Sequence, residues 1–198
     1  VAPRLDEIEL EMNSLNALRD KPAGTVRITA HDHAITTLLW PRLLPLLQRY
    51  PDVHVEFCVD YAFTDIAANR FDAGVRIGSR VDKDMVAVRL APDLRMAVVA
   101  SPAYLAGKAL PDLPGDLTLH RCINLRLATH GGLYAWDFEK EGQAVSVRVN
   151  GQATFNNTYL MLQAALDGMG FAFVPLDIAQ PHLDEGRLVA VLEDWSPV

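Results

Sequence analysis

The chain has 198 residues, half of them hydrophobic, enough for one large domain or two small ones with an ordinary core. Its formal charge of -7 and pI near 5.3 make it a poor nucleic-acid binder by itself, because it repels phosphates. It contains no run of about 18 apolar residues that could cross a membrane as a helix, and its acidic beginning is no signal peptide, although a leader cleaved earlier stays open.

Residues 3–20 come first. Leu5, Ile8, Met12 and Leu15 follow a heptad-like seam, Pro3 suits a first helical turn, and Asp6, Glu7, Glu9 and Glu11 fill the opposite face. This is an amphipathic helix, either packed on its own domain or serving as a linker that pairs with another chain. Asp20 to Gly24 breaks it. Val26, Ile28 and Ala30 then alternate with Arg27 and Thr29 as in a short strand. The polar turn His31-Asp32-His33 follows, and Ile35, Leu38, Leu39, Leu43, Leu46, Leu47 and Tyr50 recur at helical spacing until Pro51. A strand that ends in a polar turn and feeds a helix is the unit of an open α/β sheet. Ligands of such sheets bind beyond the carboxyl ends of the strands.

Val53, Val55, Phe57 and Val59 predict a second strand, Tyr61 to Asn69 a short helix, Phe71 to Gly78 a third strand, and Met85 to Leu90 a fourth. Strands alternating with helices imply a mostly parallel sheet. Leu94 to Ala100 is nearly continuously apolar, as for a strand buried on both sides. Ser101 is placed to cap the short helix that follows. Leu110 to Asp116 reads as loop and Cys122 to Leu127 as a strand. Tyr134 to Glu139 and Val145 to Val149 form a hairpin around Glu141-Gly142. Asn156-Asn157-Thr158 precedes a helix from Tyr159 to Asp167 that Gly168 and Gly170 end. A buried strand (Phe171 to Val174), a helix (Asp177 to Asp184) and a strand (Leu188 to Leu192) complete the series. The two cysteines, Cys58 and Cys122, are expected to be free thiols in a reducing compartment, with a disulfide the weaker alternative.

Six stretches in order, GTVRITA, PRLLPLLQRYP, RFDAGVRIG, LRMAVVASPAYL, GMGFAFVP and EGRLVAVL, resemble the effector-binding region of LysR-type transcriptional regulators over essentially the whole chain. The resemblance implies an α/β architecture of two Rossmann-like lobes, a type II periplasmic-binding-protein-like fold preceded by a linker helix. In that family two strands cross between the lobes and a small-molecule effector sits in the cleft. The boundaries expected here are 1–20 for the linker helix, 24–99 for lobe one, 100–194 for lobe two, and 195–198 for the start of a return to lobe one. The family's winged helix-turn-helix and its final returning strand and helix have no counterpart in this sequence. DNA would then be reached only through the N-terminal domain of the full-length protein.

On that resemblance the turn His31-Asp32-His33 lines the cleft, joined from lobe one by Asp60 and Tyr61. Ser101 lies just past the crossing, and Arg126, Asn156, Asn157 and Thr158 come from lobe two. A helix N-terminus with an imidazole suits an anion, and amides with a hydroxyl orient a small polar ligand. The bland readings stand beside these. Asp32 is expected to cap the helix, since it would oppose a carboxylate. Asn156 to Thr158 could serve only as a cap, and Arg126 could be in a surface ion pair. Two histidines lack the third ligand a metal needs. With no nucleophile elbow, paired carboxylates or phosphate loop, no catalytic residue is assigned, and no cofactor or metal is expected. The expected protein is a cytoplasmic, homodimeric regulator (tetrameric at full length if the family pattern holds) that senses a small, anionic metabolite. A periplasmic-type solute-binding protein is the alternative.

Overall fold

The computed structural model describes residues 22–61, 66–77, 85–127 and 132–196. The expected linker helix lies outside them, as does part of the expected Tyr61–Asn69 helix. The chain divides into two compact units, Val1–Ala87 and Val88–Val198.

The first unit is built on a parallel sheet. Strand β1 (Gly24–Ala30) lies between β2 (Val53–Val59) and β3 (Ala73–Val75). Both pairs are parallel, with Ala30 opposite Val59 on one side and Val75 on the other. β1 becomes more buried toward its carboxyl end, where Ile28, Thr29 and Ala30 are covered. A helical turn, α1 (Asp32–Ala34), runs through a five-residue π segment (Ile35–Leu39) into α2 (Trp40–Arg49). Pro41 has no N–H to give an i−4 carbonyl, and it sits in the first turn of α2, one residue past the π segment. α2 buries none of its residues, and Trp40, Leu44 and Leu46 are exposed. Its apolar residues are therefore not core side chains of the described unit.

One expected strand is absent. Residues 85–90 are apolar except for Arg89 but pair with no strand among the described residues, and Val86 and Val88 are 93% and 73% exposed. Apolar, β-branched residues favour a strand, but a strand also needs a neighbour to take its N–H and C=O groups. The boundary between the two units falls inside this stretch.

The second unit holds the larger core. β4 (Met96–Ala100) is the centre of a sheet with β9 (Ala172–Pro175) and β10 (Val189–Val191), both antiparallel to it. The expectation of a mostly parallel sheet thus holds in the first unit and fails here. β4 also belongs to the second unit, whereas the sequence reading ends lobe one at residue 99. Its alternate residues feed two cores. Val98 and Ala100 join Trp136, Phe138, Phe171 and Phe173. Ala97 and Val99 join Met161, Ala165, Ala172 and Val174. That two-sided burial explains the continuous apolar run.

The remaining elements are α3 (Pro102–Leu105), β5 (Asn124–Leu125), the hairpin β6 (Trp136–Lys140) and β7 (Gln143–Val147), β8 (Thr154–Phe155), α4 (Thr158–Leu166) and α5 (Leu176–Asp184). The hairpin turns at Glu141-Gly142, both with positive φ, as a two-residue turn demands. β5 and β8 are parallel. Both cysteines are free, and burial pushes the Cys122 thiol up to about 12, leaving it a protonated core side chain.

Candidate functional site

Parallel register determines which side chains meet at the end of the first sheet. Ala30, Val59 and Val75 are paired across β2-β1-β3, so the next residues, Asp60, His31 and Arg76, stand in one row beyond the carboxyl ends. The Asp60 N–H donates to the Ala30 carbonyl at 3.0 Å, which carries the ladder one step further and holds the row together.

Each member is anchored. His31 is the N-cap residue of α1 in extended conformation, and its ring stacks on Tyr61 with centroids 4.9 Å apart. The Tyr61 hydroxyl donates to Asp32 Oδ1, which also accepts the His33 N–H at 2.7 Å. The expected capping role of Asp32 is corrected: Asp32 is the first helical residue, the N-cap is His31, and no side-chain cap bond is formed. Tyr61 captures the carboxylate because the β2 exit brings it there, a long-range contact invisible to local pattern. His33 is buried, its carbonyl accepting from Thr37 Oγ1 at 2.8 Å. Burial, and then the nearby Arg76, hold the His31 imidazole below its ordinary pKa, against the opposing pull of Asp32 and Asp60. His31 is thus a neutral imidazole at neutral pH, able to donate from one nitrogen and accept at the other.

Arg76 escaped the sequence reading because the third strand was expected to run through it to Gly78. The strand ends at Val75, which places Arg76 in the row. Its Nη2 donates to the fully buried Thr29 Oγ1 at 2.9 Å and its Nη1 to the Val75 carbonyl at 3.0 Å. Burial lowers its pKa, while Asp60 acts in the opposite direction.

In the second unit the same logic applies to β5 and β8. Asn124 is paired with Thr154 and Leu125 with Phe155, so Arg126 and Asn156 follow side by side. The Arg126 N–H donates to the Phe155 carbonyl at 2.7 Å. Asn157 caps α4, its side chain accepting the Leu160 N–H at 2.9 Å. Thr158 Oγ1 is buried with no hydrogen-bond partner among the described residues, and so is Oδ1 of Asn124, itself 3% exposed. Asn124 was also missed. Its place two residues before Arg126, inside a mainly apolar strand, was its only signal. Ser101 caps α3 as expected, accepting from the Tyr104 N–H at 3.4 Å. It does not join the others, however. Its hydroxyl lies beside Gly168, past the far end of α4 from Asn157. Nine helical residues separate those ends, about 13 Å at the usual rise. Ser101 instead lines a cavity of about 510 Å³ with Gln163, Asp167, His182 and Arg187.

The cap makes a simple prediction. Asn157→Ala is expected to cost about 1 kcal/mol of stability, and Asn157→Ser little. Urea denaturation of the two variants checks it, and an Ala variant as stable as the parent would deny the cap.

Residues 19–198 match the family model of the LysR substrate binding domain. The chain belongs to that family. A Pseudomonas aeruginosa protein named as a transcriptional regulator is 55% identical over 198 residues, covering all of this chain and 65% of that protein. The HTH-type transcriptional regulator PgrR of Escherichia coli is 39% identical over 197 residues, again covering all of this chain and 66% of the relative. This LysR-family chain therefore spans about two thirds of the length of these relatives. Its fold is similar to full-length AphB of Vibrio cholerae, with a TM-score of 0.83 at 22% identity, covering all of this chain and 66% of AphB. CrgA of Neisseria meningitidis gives a TM-score of 0.76 at 21% identity, with the same coverage. The periplasmic-binding-protein-like two-lobe fold is that of LysR-type regulatory domains. The matched relatives are regulators, which favours the effector-domain reading over the solute receptor. No helix among the described residues is long and apolar enough to cross a membrane.

Proposed function

We propose that this chain is the ligand-sensing domain through which a LysR-type regulator controls transcription, and that its effector is held by the row at the end of the first sheet. The observation that carries this reading is the convergence of Asp60, His31 and Arg76 at the carboxyl ends of three parallel strands. Open α/β sheets take ligands at such ends. Tyr61, Asp32 and His33 shape the same turn. Arg126, Asn156, Asn157 and Thr158 are proposed as the second unit's own polar contacts for a small ligand.

Effector binding works by population shift: the ligand favours the arrangement it binds better, by no more than its differential affinity. In the full-length protein that bias reaches DNA through a separate DNA-binding domain, and the protein acts in the cytoplasm. The proposed assembly is a homodimer, tetrameric at full length if two dimers join. The exposed apolar residues Trp40, Leu44 and Leu46 of α2 support it, packed against α4 of a second copy. A monomer by sedimentation at high concentration refutes this assembly.

Thermal-shift screening against organic acids, amino acids and aromatic metabolites tests the effector reading. A ligand at 100 times its Kd adds about 2.7 kcal/mol, or about 5–10 °C for a chain of this size. The shift is expected to disappear in His31→Ala. Hits that survive both His31→Ala and Thr158→Ala would refute the assigned residues.

A further inference from the structure

We propose that Arg76 restricts the effector of this site to molecules that carry a carboxylate. The proposal rests on the effector reading above and adds the class of ligand.

Two arginines of the first unit show the contrast. Arg27 makes four hydrogen bonds with its guanidinium. It donates to both carboxylate oxygens of Glu56, at 3.1 and 3.2 Å, and to the carbonyls of Asn69 and Arg70. Arg76 makes two bonds, both to neutral acceptors, Thr29 Oγ1 and the Val75 carbonyl. A guanidinium has five N–H donors in a planar fork. The remaining donors of Arg76, Nε–H included, have no hydrogen-bond acceptor among the described residues. Its charge is half-buried, and no carboxylate lies within ion-pair distance of it among those residues. The lowered pKa that burial imposes on Arg76 has the same origin: its charge is desolvated more than its surroundings repay.

Thr29 gives this cation a fixed direction. It is fully buried in the central strand, so the bond to Nη2 pins the fork at the sheet end. A pinned, underpaired guanidinium is preorganised for a planar anion and loses little side-chain entropy on binding it.

Asp60 is the obvious objection, but the strand order places His31 between the two. Two strand spacings put the Asp60 and Arg76 backbones about 9.5 Å apart. A carboxylate held closer to the guanidinium than to Asp60 is attracted more than it is repelled, because the interaction falls with distance. His31, neutral between them, is free to hydrogen-bond the ligand without adding charge.

The test uses acetate and acetamide, which differ in charge but hardly in shape. The Nε–Hε cross-peak of Arg76 is assigned by its loss in Arg76→Lys and followed through titration of the 198-residue chain at constant ionic strength. Saturable movement with acetate in the millimolar range, and none with acetamide, is expected. No saturable movement with acetate overturns the proposal. In parallel, acids that raise the melting temperature are measured against Arg76→Gln, where binding is expected to weaken at least about tenfold. An acid whose binding survives Arg76→Gln but not His31→Ala overturns the carboxylate assignment and leaves the effector reading standing. One that survives both removes the effector reading as well. Arg76→Lys, which keeps the charge without the fork, should retain part of the binding lost in Arg76→Gln.

Discussion

Gly151→Ala is expected to destabilise the chain by about 3 kcal/mol or more, the upper end of what overpacking costs. A Cβ at Gly151 would stand 1.8 Å from the Cys122 carbonyl oxygen and 2.8 Å from its carbon. These are backbone atoms, so no side chain can swing aside. The two segments are joined at that point by the Cys122 N–H, which donates to the Asn150 carbonyl at 2.8 Å. Making room means lengthening that bond. The other side of the same segment is equally tight. Gly170, at φ +157°, would bring a Cβ within 2.3 Å of the Arg121 carbonyl oxygen, and the Phe171 N–H donates to that same oxygen at 2.9 Å. Residues 121 and 122 are thus clasped between two glycines distant in sequence, and neither side can yield to relieve the other. At about 2–4 °C per kcal/mol for a chain of this size, the loss reads as a fall of about 6–12 °C in Tm. Gly115→Ala is the control. Its Cβ would meet nothing within 4 Å, and a change within about 0.5 kcal/mol is expected. A Gly151→Ala variant that melts with the Gly115→Ala control would show that the segments do not approach this closely.

The second large effect is at Trp136. It is fully buried on β6 and stacks on Phe173 with centroids 5.4 Å apart. Trp136→Ala is expected to cost about 3–5 kcal/mol, the usual range for removing a buried large aromatic. Trp136→Phe should cost less than half of that. The indole Nε1–H is buried with no hydrogen-bond acceptor among the described residues. An unsatisfied buried donor carries a penalty of about 1–3 kcal/mol, and phenylalanine removes the donor while keeping a ring against Phe173. The gain from losing the donor offsets part of the lost volume. Urea denaturation midpoints of the two variants decide it. Equal losses would mean that the indole N–H is bonded in solution and that the bond matters as much as the ring.

These effects and the candidate site differ in how much of them the sequence discloses. Two caps were legible, since a cap joins residues three apart: Ser101 to Tyr104, and Asn157 to Leu160. So was the turn at Glu141-Gly142, where two positive φ values lie between alternating strands. The candidate site of the first unit was partly legible. His31, Asp32, His33, Asp60 and Tyr61 do meet, because each follows a strand whose end was readable. Arg76 was hidden by a strand end misplaced by a few residues, and Asn124 by the mainly apolar strand around it. Ser101 shows the opposite error: its place just past the expected crossing put it among the cleft residues, and a helix length separates it from Asn157.

By itself the sequence determined the family, most of the strands and helices in their order, the buried character of Met96–Ala100 and Ala172–Pro175, and the caps at Ser101 and Asn157. All of these rest on residue type and on hydrogen bonds or periodicities that span a few positions. Tertiary structure alone decided the rest. It made β4 antiparallel to its neighbours, left residues 85–90 without a strand partner among the described residues, gave Asp32 to Tyr61, brought Arg76 into line with His31, and left Gly151 no room for a Cβ. The reason is physical. Each of these depends on which distant backbone segments become neighbours and in what register, and a register shift of one residue moves every side chain to the other face at no change in local pattern.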